Sequence, residues 1–438
     1  MKKTKQLNRS CDVIVIGAGP GGLGVAATLE GWHPFTKDSL SFLPEYVSRE
    51  VKNFSSDLLS FDTRFLMRNG VRPIEFYRNL HHPTNHSLNP SEYRLKFFKT
   101  DPVDWMMISI DEPGGLWNNV PTNQLTLGPA YWMELAHYPI QQFFQDNGIN
   151  KDPNDLAHKN DLVNYYQKFV EYLGMSKKII TKSKVRSISK GKDRRRFRLV
   201  VDSSISSNIY ECDYIVFSVG PKSKERKFNW QKNELDYISS QFTCASDYSG
   251  ENVLVVGGGR SSDWAVTELF KAGKKVEYVM RQDSDNHLRL VKDSLNLPYY
   301  DFLYDIIQKD NKKLTIHYNS EISDAFPGGK VSVINNKSQL ETKFYLDHLI
   351  IEIGSSVAYE LLDEWGPIKF VEKRDNYRFQ LNQMSCDQST FESSDIKNLY
   401  PSGYLAQGTG LSVIGFHAGS YLISGDIYRK INKLSTEE

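Results

Sequence analysis

Charge of one sign is missing from this sequence. Over 438 residues, 54 Lys and Arg stand against 53 Asp and Glu, a net charge of +1. Without a global field there is no pull toward nucleic acid or anionic lipid, so a dedicated nucleic-acid-binding protein is excluded as the main reading. Cysteine is scarce too. Cys11, Cys212, Cys244 and Cys386 lie far apart and form no C-x-x-C pair, which speaks against a zinc cluster and a redox dithiol and fits a reducing cytoplasm. No metal site is expected. Long apolar runs are absent as well: no stretch of 18 or more apolar residues exists, so no membrane span is expected. Lys2, Lys3 and Lys5 before an apolar run ending near Ala26 mimic a secretory signal, but that run holds too many glycines.

What the chain does have is 39% hydrophobic residues, 12% aromatics and 29 glycines, the composition of an ordered chain. Its length suggests two to three domains. Asp12-Val13-Ile14-Val15-Ile16 reads as a strand buried on both faces of a parallel sheet. It runs into Gly17, Gly19 and Gly22, a G-x-G-x-x-G, and then into an Ala, Val and Leu-rich helix to Leu29. In such a turn the first glycine permits the bend, the second lets a pyrophosphate approach the backbone, and the third lets helix and strand pack closely.

The pattern occurs twice. Asn252 to Val256 leads into Gly257, Gly259 and Ser262, with Arg260 and Ser261 opening the helical pattern that runs to Ala272. Two dinucleotide turns in one chain suggest hydride transfer from a nicotinamide to a flavin. The following strand, Lys275 to Met280, ends at Arg281 where an acid normally meets the ribose 2'-hydroxyl. Arginine there suits a 2'-phosphate and hence NADPH; the alternative is an ordinary surface arginine.

Two further segments, Asp213 to Gly220 and Asp347 to Gly354, each comprise an acid, an apolar strand and a glycine. Read as returns between two domains, they bracket the second turn. The expected fold is therefore α/β with two Rossmann-like dinucleotide-binding domains, for FAD and NADPH, the second inserted into the first. The expected boundaries are 1–225 for the first part of the FAD domain, with an insertion at 31–104, then 226–339 for the NADPH domain and 340–438 for the rest. Between Lys177 and Asp213 basic and apolar residues alternate, which predicts a small antiparallel meander. Its Arg194, Arg195 and Arg196 cluster reads as a solvated hairpin more readily than as a nucleic-acid patch.

These residues resemble the class B flavin-dependent monooxygenases, which include the flavin-containing, Baeyer-Villiger and N-hydroxylating enzymes. The resemblance rests on Gly17-Ala18-Gly19-Pro20-Gly21-Gly22, Gly114-Gly115-Leu116-Trp117, the two return strands and Gly257-Gly258-Gly259. Within the class, Pro113 to Trp117, Leu125-Thr126-Leu127 and Tyr165-Tyr166 look most like the oxidative stress-induced growth inhibitor family. The resemblance implies that NADPH reduces FAD, that O2 adds to the reduced ring, and that the resulting C4a-(hydro)peroxide passes one oxygen to a small organic substrate. It implies FAD contacts at Gly17, Gly19, Pro20, Gly21, Gly22, Gly115, Trp117, Gly220, Gly354, Gly403 and Leu411. Asp111 or Glu112 would hold the FAD ribose, and Gly257, Gly259, Arg260, Ser261, Ser262 and Arg281 the second nucleotide.

Trp117, Asn123 and Gln124 are the candidate catalytic residues: the latter two follow Trp117 at the interval where related enzymes place an amide near the reacting oxygen, and a turn-capping role after Pro121 is the plainer alternative for Asn123. Residues 409–419 look like a glycine loop opening the last helix, which either offers its positive end to reduced flavin or merely packs. His137 and His417 are general acids or, more readily, core histidines. Three features depart from the class. The insertion at 31–104 suggests a lid or partner surface, the linker Phe-x-Gly-x-x-x-His lacks its histidine at Phe242 to Tyr248, and Tyr404 stands where relatives carry an aspartate. A disulfide reductase lacks its paired cysteines here. A flavoprotein oxidase or a non-catalytic redox-sensing scaffold stays as the alternative.

Overall fold

The computed structural model describes residues 8–37, 40–81, 95–191, 195–231, 235–309, 312–371, 382–410 and 412–437, with side chains to 432. The chain divides into two units, residues 1–119, 128–223 and 357–438 forming the first and residues 120–127 and 224–356 the second.

The first unit is built on a parallel sheet ordered Leu399–Pro401, Tyr214–Phe217, Val13–Ile16, Trp105–Ile108 and Ile179–Ile180. Its central strand is buried on both faces, which is why it reads as an unbroken apolar run. The helix Pro20–Leu29 packs against the final helix, Val413–Glu437. Nine of its ten residues are buried, so it shows no polar face. Lys184–Lys190, Phe197–Asp202 and Ser207–Cys212 form the expected antiparallel meander, with Asn8–Ser10 added in parallel. Arg195 at its edge pairs with Asp12 and Asp213; that charge is spent inside the fold. Arg194 lies outside the described residues.

The described part of the insertion forms secondary structure of its own. Trp32–Phe35 pairs antiparallel with Lys96–Lys99, and the helices Glu45–Lys52, Arg64–Arg68 and Pro73–His81 bury Val47, Val51, Leu66, Phe76, Tyr77 and Leu80. These join one apolar cluster with Leu23, Ala26, Tyr421 and Ile423. The described part of the insertion thus contributes to the core of the first unit, while Tyr46, Phe54 and Met67 stay exposed.

The second unit repeats the plan. Its parallel sheet runs Ile238–Ser239, His348–Ile351, Asn252–Val256, Lys275–Val279 and Leu314–His317, and the antiparallel strands Ser320–Phe326, Lys330–Asn335 and Glu341–Tyr345 follow. His348–Ile351 therefore pairs within this unit, which extends to Ser356, beyond the expected boundary at 339. Among the described residues no helix is long and apolar enough to cross a membrane.

Candidate functional site

In the first unit the strand Val13–Ile16 ends at Gly17, whose φ of +104° is open to glycine alone in practice. Its amide donates to the Ile108 carbonyl at 2.8 Å. The helix starting at Pro20 has Gly19 as its N-cap and no side chain accepting its first amides, so these amides and the positive end of the dipole are offered to an anion. Two other glycine turns close on this one. A Cβ on Gly115 would stand 2.8 Å from the Gly19 Cα, and one on Gly21 would stand 2.6 Å from the Gly403 Cα. Backbone thus meets backbone where Gly17, Gly19, Pro20, Gly21, Gly22, Gly115 and Gly403 come together.

Three serines that the sequence reading missed fasten these turns. Ser218 Oγ donates to the Ile16 carbonyl at 2.8 Å, Ser402 Oγ donates to the Gly21 carbonyl at 3.0 Å, and Ser109 Oγ accepts from the Ala18 amide at 3.3 Å. Each follows a strand of the sheet by one residue, a position visible only once the strand ends are fixed. Asp111 and Glu112 are half-buried beyond Trp105–Ile108, with Glu112 Oε1 3.2 Å from Thr181 Oγ1. Trp117 is half-buried in the short turn Gly115–Asn118, and Gly220 follows Tyr214–Phe217 with φ of +77°. Leu411 lies outside the described residues. A side-chain-free cradle at an uncapped helix start fits a dinucleotide pyrophosphate.

In the second unit Ser262 replaces the third glycine and closes the turn from within: its Oγ accepts from the Gly258 amide at 2.8 Å and the Gly259 amide at 3.0 Å. Gln282 Nε2 donates to the Gly258 carbonyl at 2.6 Å. Arg260 lies over the Tyr300 ring at 5.4 Å, Ser261 is half-buried at the helix start, and Arg281 is exposed two residues past Lys275–Val279. Gly354 follows His348–Ile351 with φ of +77°. Asn123 and Gln124 belong to this unit and Trp117 to the other; Asn123 Nδ2 donates to Glu268 Oε2 at 3.2 Å, and Gln124 Nε2 to the Leu125 carbonyl at 3.1 Å.

A buried polar network behind the second turn was also missed. Asp263 is fully buried and takes Tyr278 Oη at 2.8 Å, Tyr300 Oη at 2.9 Å and His287 Nε2 at 2.9 Å. Tyr278 Oη is also 2.8 Å from Ser262 Oγ. The network therefore reaches the glycine turn directly.

The four cysteines are free. Burial pushes the thiols of Cys11 and Cys386 up to about 12 and that of Cys212 well above the ordinary range, so three of the four carry negligible thiolate at neutral pH.

His137 and His417 are core residues. His137 stacks on Phe97 at 3.8 Å and donates to the Trp32 carbonyl at 3.2 Å, while His417 Nε2 pairs with Tyr421 Oη at 2.7 Å. Burial lowers His137 to about 3 and His417 well below the usual histidine value, so neither serves as a proton donor at neutral pH. In the unfolded chain both rings regain a pKa near 6.5. The unfolded state then binds more protons below that value, and stability falls as pH drops through 6.5 toward the folded pKa, by up to about 1.4 kcal/mol per pH unit for each ring. The urea midpoint is expected to fall between pH 6.5 and about 4, and less steeply in His137→Leu. Parallel profiles for the two proteins would remove His137 from this account.

The chain is similar to human oxidative stress-induced growth inhibitor 1, 23% identical over 460 aligned residues that cover 95% of each protein. Human oxidative stress-induced growth inhibitor 2 is 22% identical over 255 residues, 56% of this chain and 48% of that protein. Among solved structures, the bacillithiol disulfide reductase of Staphylococcus aureus superposes with a TM-score of 0.64 at 16% identity, covering 96% of this chain and 99% of that one. An ornithine N-hydroxylase from Kutzneria sp. 744, solved with reduced FAD, NADP+ and L-ornithine, gives 0.60 at 13% identity over 96% and 100%. These two likenesses share the fold of two dinucleotide-binding domains, and the resemblance to the growth inhibitor family holds over nearly the whole chain. The family profile of the pyridine nucleotide-disulphide oxidoreductases matches residues 110–403, more than half of the sequence, and the chain belongs to that family.

Proposed function

We propose that the protein is an FAD-dependent, NADPH-using monooxygenase that inserts one oxygen atom from O2 into a small organic substrate. The observation that carries this reading is the closure of two glycine turns on one uncapped helix start, Gly115 and Gly403 against Gly19–Gly21, in a chain that has a further glycine turn at Gly257–Gly259. FAD, when bound, supplies the hydride acceptor and the reaction with O2. The residues of this chain do the rest. Gly17 to Gly22 would receive the FAD pyrophosphate, Asp111 or Glu112 the ribose, and Gly115, Trp117, Gly220 and Gly403, all in the first unit, would line the cofactor path. Gly257, Gly259, Arg260, Ser261 and Ser262 receive the NADPH pyrophosphate. Trp117 would exclude water beside the flavin; for Asn123 and Gln124 the resemblance supplies the amide role, while in the second unit their amides donate to Glu268 and to the Leu125 carbonyl. A cytoplasmic setting suits the free thiols.

Burial of three of the four thiols weighs against a dithiol reductase, the competing reading raised by the bacillithiol disulfide reductase fold. The test is a purified yellow protein that consumes NADPH and O2, followed by a mass-spectrometric search for a product heavier by one oxygen. Reoxidation of the flavin by disulfides but not by O2 would overturn the monooxygenase reading. Absence of flavin would leave the sensing scaffold.

NADPH preference is assigned to Arg281. A charge-assisted bond to the 2'-phosphate contributes about 1.5 to 3 kcal/mol. Arg281→Ala is therefore expected to lower kcat/KM for NADPH roughly 10- to 100-fold and to leave NADH nearly unchanged. Equal efficiency of the two nucleotides in the unaltered protein would sink the assignment.

A further inference from the structure

Arg78 stands on the helix Pro73–His81, which the insertion supplies, yet its guanidinium is committed to the other end of the chain. Nη2 donates to the Thr409 carbonyl at 2.5 Å, and Nη1 pairs with Glu75 Oε1 at 3.1 Å. The same Nη2 lies 3.1 Å from where a Cβ on Gly410 would stand and fills the place a Cβ on Gly415 would take. Glycine at 410 and 415 is what admits the arginine. Its Nε is buried without a partner. Thr409 is itself tied inward, its Oγ1 donating to the Gly403 carbonyl at 2.9 Å, and Gly403 is the residue that meets Gly21 in the first glycine turn. The guanidinium is therefore fixed against the Thr409 carbonyl and Gly415, at the start of the final helix, and its charge adds to the positive end of that helix.

We propose that Arg78 is a positioning residue for the flavin: it holds the Thr409 carbonyl and packs on Gly410 and Gly415, and its charge favours the reduced, anionic form of an FAD bound by the first unit. This rests on the reading that the first unit binds FAD. Oxidised flavin takes up two electrons and one proton, as a hydride from NADPH or from dithionite with a solvent proton, and the ring gains one net negative charge. A fixed cation stabilises that charge and leaves the neutral oxidised ring little affected. Arg78 thus raises the midpoint potential. Glu75, half-exposed and paired with the same guanidinium, partly offsets the effect.

The test is a dithionite titration of the full-length flavoprotein against a reference dye. Arg78→Met is expected to weaken reduced relative to oxidised FAD about tenfold, a fall of about 30 mV for this two-electron couple. Arg78→Lys, which keeps the charge and loses the fork, should lie nearer the unaltered protein. Glu75→Gln removes no bond to the Thr409 carbonyl and unmasks the cation, so its potential should rise; Arg72, whose Nη1 is 3.7 Å from Glu75 Oε1, is changed to Gln in the same background as the control, and the rise should persist there. If Arg78→Met retains no flavin, the direction of the Glu75→Gln shift decides the matter. A Glu75→Gln potential that is unchanged or lower, or an Arg78→Met potential equal to that of the unaltered protein, overturns the role of Arg78 while leaving FAD binding intact. An unaltered protein that binds no FAD overturns the functional reading, and this inference with it.

Discussion

Gly19→Leu is expected to give a folded protein that has lost FAD. Gly19 has φ of −79° and ψ of 174°, extended backbone that any residue adopts, and a Cβ there would sit 4.0 Å from the Gly115 Cα, an ordinary contact. The leucine thus costs the fold little. Its remaining carbons must occupy the space over the uncapped amides at the start of Pro20–Leu29, the proposed place of the pyrophosphate. Losing two charge-assisted bonds at about 1.5 to 3 kcal/mol each weakens binding at least 100-fold. Gly22→Ala acts differently. Its Cβ would run into the Gly17 carbonyl oxygen and come within 2.6 Å of Ser218 Oγ, so this change disrupts the turn and the stability of the first unit. Flavin absorbance after desalting and a thermal melt separate the two outcomes. Stoichiometric flavin in Gly19→Leu would falsify the assignment of the first turn.

The two turns were legible because each is local. A doubly buried parallel strand is an apolar run, the glycines follow at fixed spacing, and the helix follows the glycines. Pairing between distant strands leaves no such trace. Asp213 to Gly220 and Asp347 to Gly354 look alike as sequence, yet Tyr214–Phe217 pairs with Val13–Ile16 and His348–Ile351 with Asn252–Val256, so the second unit runs to Ser356. The packing of the insertion left a faint trace for a related reason. Its polar, proline-bearing stretches mask short amphipathic helices such as Glu45–Lys52, whose Val47 and Val51 are four residues apart on one buried face. Ser109, Ser218 and Ser402 follow strand ends that are hard to fix within two residues, and the Arg78 to Thr409 bond joins segments with no common motif. At the second turn the sequence marked Gly257, Gly259 and Ser262 and gave no sign of what stands behind them.

What stands behind them is Asp263, and Asp263→Ala is expected to destabilise the second unit by about 3 to 5 kcal/mol, the range for removing one partner of a buried charged or strongly hydrogen-bonded set. An acid in the first turn of a helix ordinarily faces solvent and offsets the dipole. Here it points inward, fully buried, and receives Tyr278, Tyr300 and His287 from a strand and two other helices. Alanine leaves all three polar groups without their acceptor in a site where each lost bond costs about 1 to 3 kcal/mol. Asp263→Asn keeps one acceptor oxygen but turns an NH2 toward a donor, so it should cost less than alanine and still more than a surface change. The same network touches function through Tyr278 and Ser262, whose hydroxyl holds the Gly258 and Gly259 amides. In Asp263→Asn the KM for NADPH is therefore expected to rise while flavin content stays that of the unaltered protein, because the first unit keeps all its contacts to the glycine turns. Urea unfolding followed by intrinsic fluorescence, set beside NADPH saturation curves, checks both parts. An unfolding midpoint unchanged in Asp263→Ala would show that the three donors find other partners and that the buried acid does not hold the turn in place.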